Sequence, residues 1–296
     1  MSDTFVAPAQ SKSLALTLML AASSLVAVTT LFAKALGTDV LGPALHPVQV
    51  THGRFLFAFL VLSSVAAVVR PSVRRPHWGL HVARSTAGFA GVTLMFAAVA
   101  RIPMADATAI TFLNPVFAMM LAIPLLGENV GRVRWSAAAI ALLGAVILLR
   151  PGPGTFQPAA LLAVGSAAVM GLEVIFIKKL AGRERPFQVL LINNMIGLGI
   201  ATCAVLPVWQ MPTAGQWAAM GGLGAAMALA QTCYINAVAR AEASFVAPFA
   251  YATLVFATIY DSAIFGVLPD WISFLGAGTI LGGAALLAWR ETRRAQ

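Results

Sequence analysis

Charge is scarce in this 296-residue chain: Asp, Glu, Lys and Arg together make up 10% of it, and only ten residues are acidic. So little polar surface cannot cover a soluble globule of this length, which excludes the soluble globular class. Cysteine is nearly absent. Cys203 and Cys233 stand alone in apolar stretches, which excludes a disulfide framework and makes both packing residues. No Walker sequence, His-Glu-x-x-His pair or Gly-x-Ser-x-Gly elbow occurs, so the usual signatures of ATP-driven pumping, zinc catalysis and serine hydrolysis are missing. His77 and His81 lie four apart without a third ligand or a carboxylate nearby in sequence, and read as interfacial residues. No cofactor, metal or enzyme chemistry is implied.

What is present is apolar length. Hydrophobic residues form 60% of the chain and the mean hydropathy is +0.88. Ten runs approach the ~20 helical residues needed to cross ~30 Å of hydrocarbon: 14–36, 48–69, 81–99, 105–126, 133–149, 159–180, 189–208, 217–238, 244–267 and 271–289. Strand-like alternation is absent, so the expected fold is an all-α integral membrane bundle of ten helices and not a barrel. The first run resembles a signal peptide, with Lys12 ahead of it and Ala33-Lys34-Ala35 at its end, but the nine runs that follow favour an uncleaved helix.

The chain is also duplicated. Ala98-Val99-Ala100-Arg101 returns as Ala237-Val238-Ala239-Arg240, and Val116-Phe117-Ala118 as Val255-Phe256-Ala257, both at an offset of 139 residues. The same offset places Gly127 on Gly266, Gly144 on Gly283 and Gln49-Val50 on Gln188-Val189. Such a period is too long for a solenoid. The expected organisation is a tail at 1–12, a first five-helix repeat at 13–150, a linker at 151–157, a second repeat at 158–289 and a tail at 290–296. Five crossings per copy turn the second copy upside down, and inverted repeats are the architecture of secondary transporters.

The net charge of +9 follows membrane topology and not a nucleic-acid surface. With the N-terminus inside, fifteen basic residues, Arg74, Arg84, Lys178 and Arg293 among them, fall at cytoplasmic ends, against Lys34, Arg54, Arg101 and Arg150 outside. Both termini are therefore expected in the cytoplasm. All six tryptophans fall at or beside segment ends, as an interfacial indole should.

Polar groups at membrane depth are expensive and mark candidate sites. Thr111 and Asn114 share a helical face, and Pro115 removes a backbone bond near mid-span, giving a kink able to bind substrate or act as a hinge. Gln231 and Tyr234 form a second stripe, which the duplication sets against Met95 on the third segment. Tyr251 matches Phe112, and Thr253 matches Asn114. These groups, with Phe96, make a candidate substrate site across the third, fourth, eighth and ninth helices, although each residue taken alone also serves as helix glue. Glu173 stands alone in an apolar run and could carry a proton, take a substrate ammonium, pair with another helix or reach water. Asp261, nearer the outer end, is a candidate gate, and Pro115 a gating hinge. Lys34 and Arg54 either steer an anionic group or snorkel. Gly88, Gly91, Gly221, Gly222, Gly224, Gly278 and Gly282 read as close packing within the chain, which favours a monomer over a dimer.

Leu113-Asn114-Pro115-Val116, Leu126-Gly127-Glu128 and Trp135 with Leu142-x-Gly144, within two five-helix repeats, resemble the EamA branch of the drug/metabolite transporter superfamily. The second repeat departs from that pattern, with Leu254 for Pro115 and Val267 for Glu128, so its helices are expected to bend and end differently. The resemblance is greatest to broad-range amino-acid exporters of the YddG type and implies a central cavity with alternating access. The expected function is thus inner-membrane export of amino acids or related metabolites. Aromatic walls would accept varied side chains, and Asn114, Thr111 and Gln231 would hold the amino and carboxylate groups. Another metabolite or drug on the same fold, a channel and a membrane-embedded enzyme are the alternatives.

Overall fold

A computed structural model describes residues 11–69, 76–127, 130–150, 157–180, 183–184, 186–241 and 247–295, with side chains described as far as residue 286. Arg70, Arg74, Arg75, Glu128, Arg185, the linker at 151–156 and the start of the ninth segment at 244 lie outside the described residues, as do the side chains of Trp289, Arg290, Arg293 and Arg294. The helices are α1 (Lys12–Leu36), α2 (Pro47–Val69), α3 (Trp78–Val99), α4 (Met104–Thr111), α5 (Asn114–Leu126), α6 (Arg132–Leu149), α7 (Ala160–Leu180), α8 (Pro186–Val205), α9 (Ala214–Val238), α10 (Ala252–Phe265) and α11 (Trp271–Ala295). Short 3₁₀ turns at Leu206–Val208 and Ala247–Tyr251 extend α8 and lead into α10. Eight helices, counting α4 and α5 as one, are long and apolar enough to span a bilayer, and two shorter apolar helices cover Phe249–Phe265 and Trp271–Leu286.

Helices form because a chain in hydrocarbon has no water to satisfy its backbone. Their ends are set locally. Ser11 accepts from Leu14 N–H at the start of α1, and Thr213 and Gln216 form a reciprocal capping box on α9. Pro47 and Pro186 open α2 and α8, where a missing N–H costs nothing; they too are 139 residues apart. Short connections make successive helices antiparallel. The end of the bundle where α1 begins is here the near end, and that where it finishes the far end.

The fourth segment is not one helix. After Thr111 the chain tightens, with Phe112 N–H donating to Ala109 and Leu113 N–H to Ile110, before α5 restarts at Asn114. Thr111 and Asn114 therefore do not share a continuous helical face. The ninth segment breaks at the equivalent place, between Tyr251 and Ala252, without a proline there. Both segments then end on a left-handed glycine, Gly127 at φ 67° and Gly266 at φ 67°, a conformation that L side chains resist. The two segments thus stop alike, contrary to the expectation drawn from Val267. Pro115 sits in the first turn of α5, where it is tolerated and opens a new helix.

The packing repeats as well. α1 lies on α9 as α7 lies on α3; α4 and α5 lie on α7 as α10 and its leading turn lie on α1; α2 meets α9 as α8 meets α3. In two further close pairs, α2 with α8 and α6 with α11, each helix meets its own counterpart. Apolar burial gives no net drive in lipid, so these contacts depend on close fit. A Cβ on Gly144 would lie 2.7 Å from the Gly276 carbonyl, and one on Gly283 would lie 2.7 Å from that of Ala137. Gly224 likewise abuts Phe57 and Ala58. Gly278 and Gly282 do not pack against the described residues: none lies within 4 Å of the Cβ that either would carry.

This contrast gives a stability prediction. Gly144→Leu should lower the melting temperature in detergent, by an overpacking cost of ~1–3 kcal/mol, while Gly278→Leu should melt as the parent does. Equal melting of all three proteins would remove the α6–α11 seam as a source of stability.

Candidate functional site

Among the described residues six charged or titratable residues are buried as a whole: Lys34, Arg54, His81, Arg84, Asp106 and Asp261. They fall into three groups, each linking the two halves of the chain.

At the far end Lys34 of α1 pairs with Asp261 of α10, and the second carboxylate oxygen of Asp261 accepts from Met104 N–H at the start of α4, 2.8 Å away. One carboxylate therefore ties three helices and satisfies a helix-terminal donor. Lys34 does not snorkel. Close by, Asp106 is buried with neither oxygen hydrogen-bonded among the described residues, and Arg150 approaches to 3.9 Å. Arg150 also binds Asp270 at 2.8 Å. The Ser273 N–H bond and Arg150 hold the Asp270 carboxyl below the usual range, against the opposing effect of burial. Gln49 exchanges two bonds with the backbone of Gln210, and Gln216 and Thr213 bond to the carbonyls of Pro43 and Leu41.

At the near end Glu184, between α7 and α8, gathers both histidines. One oxygen accepts from His77 N–H at 2.8 Å and meets His77 Nδ1 at 3.0 Å; the other meets His81 Nε2 at 2.8 Å and accepts from Gln188 at 2.7 Å. His81 is fully buried. The pair, at the end of the bundle, is thus a clasp closed by a carboxylate distant in sequence, with His77 half exposed and His81 buried. Burial pushes the Glu184 carboxyl up, but the bonds from His77 and His81 outweigh it and hold the group at about 2. Gln49 and Gln188, which the duplication equates, each fasten one end of the bundle.

Between these ends lie Arg54 of α2, Arg84 of α3 and Glu173 of α7. Arg84 Nε stands 3.5 Å from Glu173 Oε1, and its Nη1 donates to Val189 O at 3.2 Å. Glu173 finds room because α3 carries Gly88, whose Cβ would lie 3.2 Å from the carboxylate. Beside them Ser85 donates to Asn193 Oδ1 at 3.1 Å. Arg84 was counted among the cytoplasmic cations and Arg54 among the outer ones; both are drawn inward instead.

The remaining candidates are dispersed. Phe112 and Tyr251 meet edge to face with centroids 5.0 Å apart, which joins the two chain breaks. Met95 and Phe96 are buried in the main core, and Thr111 bonds to Thr108 O at 2.7 Å. Asn114 is half-buried and Pro115 exposed. Gln231 is half-buried, its Oε1 covered and unbonded, and Tyr234 is exposed on the same helix. The sequence reading missed Glu184, Asp106 and Asn193. A signal for the last was present in the offset that equates Asn193 with Arg54. No group of His, Cys, Asp and Glu able to hold a metal occurs among the described residues.

The chain matches the EamA-like transporter family over residues 13–150 and 157–289 and belongs to that family. It is 32% identical over 231 residues to a riboflavin transporter of Vibrio cholerae, covering 77% of each chain. It is 27% identical over 254 residues to an S-adenosylmethionine uptake transporter of Rickettsia bellii, covering 86% of this chain and 87% of the other. A crystal structure of 20% identity superposes with a TM-score of 0.63 over 96% of this chain and 98% of its own, which shows a shared fold. The protein is accordingly a multi-pass membrane transporter of the drug/metabolite superfamily.

Two outcomes are expected of the clasps. Asp261→Asn leaves the Lys34 ammonium buried without its counter-charge and should cost ~3–5 kcal/mol, whereas replacing both by Met and Leu should restore much of it; additive losses in the double variant would show that the pair is uncoupled. Glu184→Gln should lower the melting temperature at pH 7. The carboxylate is held low when folded, so its contribution is complete above the ordinary glutamate value of ~4.3 and fades as pH falls toward about 2. Melting curves of parent and variant should therefore converge with acidification, and a constant difference would refute the assignment.

Proposed function

We propose that this protein is a secondary carrier that exports amino acids, or metabolites bearing an amino-acid group, across the inner membrane. Its two halves are inverted five-helix repeats around a central site, and transport proceeds by alternating access. The observation that carries this reading is the exchange pattern of the packing, in which α2 meets α8, α6 meets α11 and Phe112 meets its own counterpart Tyr251. Elements that meet their repeat mates lie on the axis relating the halves, and a site on that axis faces either end when one half rocks against the other. Polar fastenings at both ends, Lys34–Asp261 at the far end and Glu184–His77–His81 at the near end, suit gates that open in turn. Asp261 and Pro115 are read as gating residues. The near end, with Lys178, Lys179 and Arg183, is assigned to the cytoplasm, together with both termini.

The Rickettsia relative supports an amino-acid-bearing substrate, since S-adenosylmethionine carries the amino and carboxyl groups of methionine. The Vibrio relative supports a second reading, a flat aromatic metabolite held against Phe112 and Tyr251. Purified protein in liposomes distinguishes them: labelled amino acids, S-adenosylmethionine and riboflavin are each tested for counterflow. A carrier gives saturable uptake accelerated by the same compound on the opposite side. Flux that rises linearly without acceleration indicates a channel, chemical conversion an enzyme, and counterflow of riboflavin alone the second reading.

A further inference from the structure

The midsection of the bundle holds two guanidinium groups and one carboxylate. Arg54 lies seven residues inside α2 and Arg84 six residues inside α3, roughly 10 Å from opposite ends of the bundle. Both side chains are more than nine-tenths buried. Arg84 is engaged by Glu173 and by the Val189 carbonyl. Arg54 is not: its Nη1 is buried without a hydrogen-bond partner, and it forms no hydrogen bond or ion pair with a described residue, although its guanidinium lies over the Phe55 ring at 4.6 Å. The group therefore carries one positive charge in excess, with free donors on one arginine, inside a membrane protein. A buried charge without a counter-charge is among the costliest arrangements available.

We propose that Arg54 is the binding site for the carboxylate of the transported substrate, which supplies the missing negative charge. The planar fork of arginine matches a carboxylate with two parallel N–H···O bonds. The excess is a single charge, which a monocarboxylate or a zwitterion neutralises and a dianionic phosphate overshoots. Position agrees: Arg54 and Asn193 occupy equivalent places on α2 and α8, the helices that meet their own repeat mates, so a carboxylate there lies between the halves. Glu173 is a positioning residue, since through Arg84 it holds the excess at one charge and keeps the bound carboxylate releasable.

This inference rests on the carrier reading above and deepens it. Its test uses full-length protein in detergent and in liposomes, with methionine, methioninamide and riboflavin as probes. Binding is read as ligand-induced thermal stabilisation and transport as counterflow. The parent should prefer methionine over its amide by at least tenfold. Arg54→Gln should abolish that preference, and Arg54→Lys, which keeps the charge but loses the fork, should retain part of it. Glu173→Gln, which leaves two positive charges, should bind methionine more tightly yet exchange it more slowly, an outcome that loss of a merely structural contact does not produce. Equal responses of the parent to methionine and its amide overturn the proposal whether or not the variants fold. So does a folded Arg54→Gln protein that keeps the preference, or stabilisation by chloride that methionine does not exceed. Counterflow of riboflavin with no response to methionine overturns the carboxylate site while leaving a carrier in place; absence of any counterflow, with the acid still preferred over its amide in binding, overturns the carrier and not the site.

Discussion

Charges taken out of water must be neutralised, and among the described residues four such pairings cross from one half of the chain to the other. Lys34 meets Asp261, Arg84 meets Glu173, Arg150 meets Asp270, and His77 and His81 meet Glu184. Each pair joins residues from before and after the linker at 151–157. Lipid gives no apolar drive for helices to associate, so fit and polar pairing hold the halves together. Removing one member of such a pair leaves an uncompensated buried charge, whereas removing both is tolerated. These bonds therefore specify how the halves sit against each other more than they add net stability.

The same economy explains why the fastenings are where they are. Glycine seams let α6 and α11 approach within backbone contact, and this pair has only apolar and small residues at its closest points. The ends of the bundle are closed instead by polar bonds, which water can replace one for one when they open. On the proposed carrier reading, an apolar seam with exchangeable bonds at the ends of the bundle would let the halves rock without tearing the core. The interior arginines are the exception, because nothing within the described residues completes their charge balance.

Much of this was legible in the chain itself. The 139-residue offset equated Gly127 with Gly266, although the ends of the two segments were expected to differ, and Glu173 and Asp261 stood out as acids in apolar runs. Other features were misread for reasons of distance. Arg84 lies only a few residues from a helix end, so counting charges assigned it to the surface, although a long side chain on an inward face reaches the interior. His77 and His81 lacked a carboxylate nearby in sequence, and Glu184 arrives from more than a hundred residues away. The break after Thr111 was traced to Pro115, yet the equivalent break before Ala252 has no proline at that place.

By itself the sequence determined that the chain enters a membrane and that it does so as helices, because apolar length and absent alternation are properties of order along the chain; its 139-residue offset pointed to a repeated unit. It also marked where the fourth and ninth segments stop, since a left-handed turn after Leu126 and Phe265 favours glycine. Only the tertiary structure decided which buried charges meet. Direction around a helix and the choice of neighbour fix whether Arg54 is paired or left open, and neither is encoded by spacing within one segment. That is why the candidate site lies among arginines the sequence had placed at the rims, while Tyr234, on a face chosen by spacing alone, stands exposed.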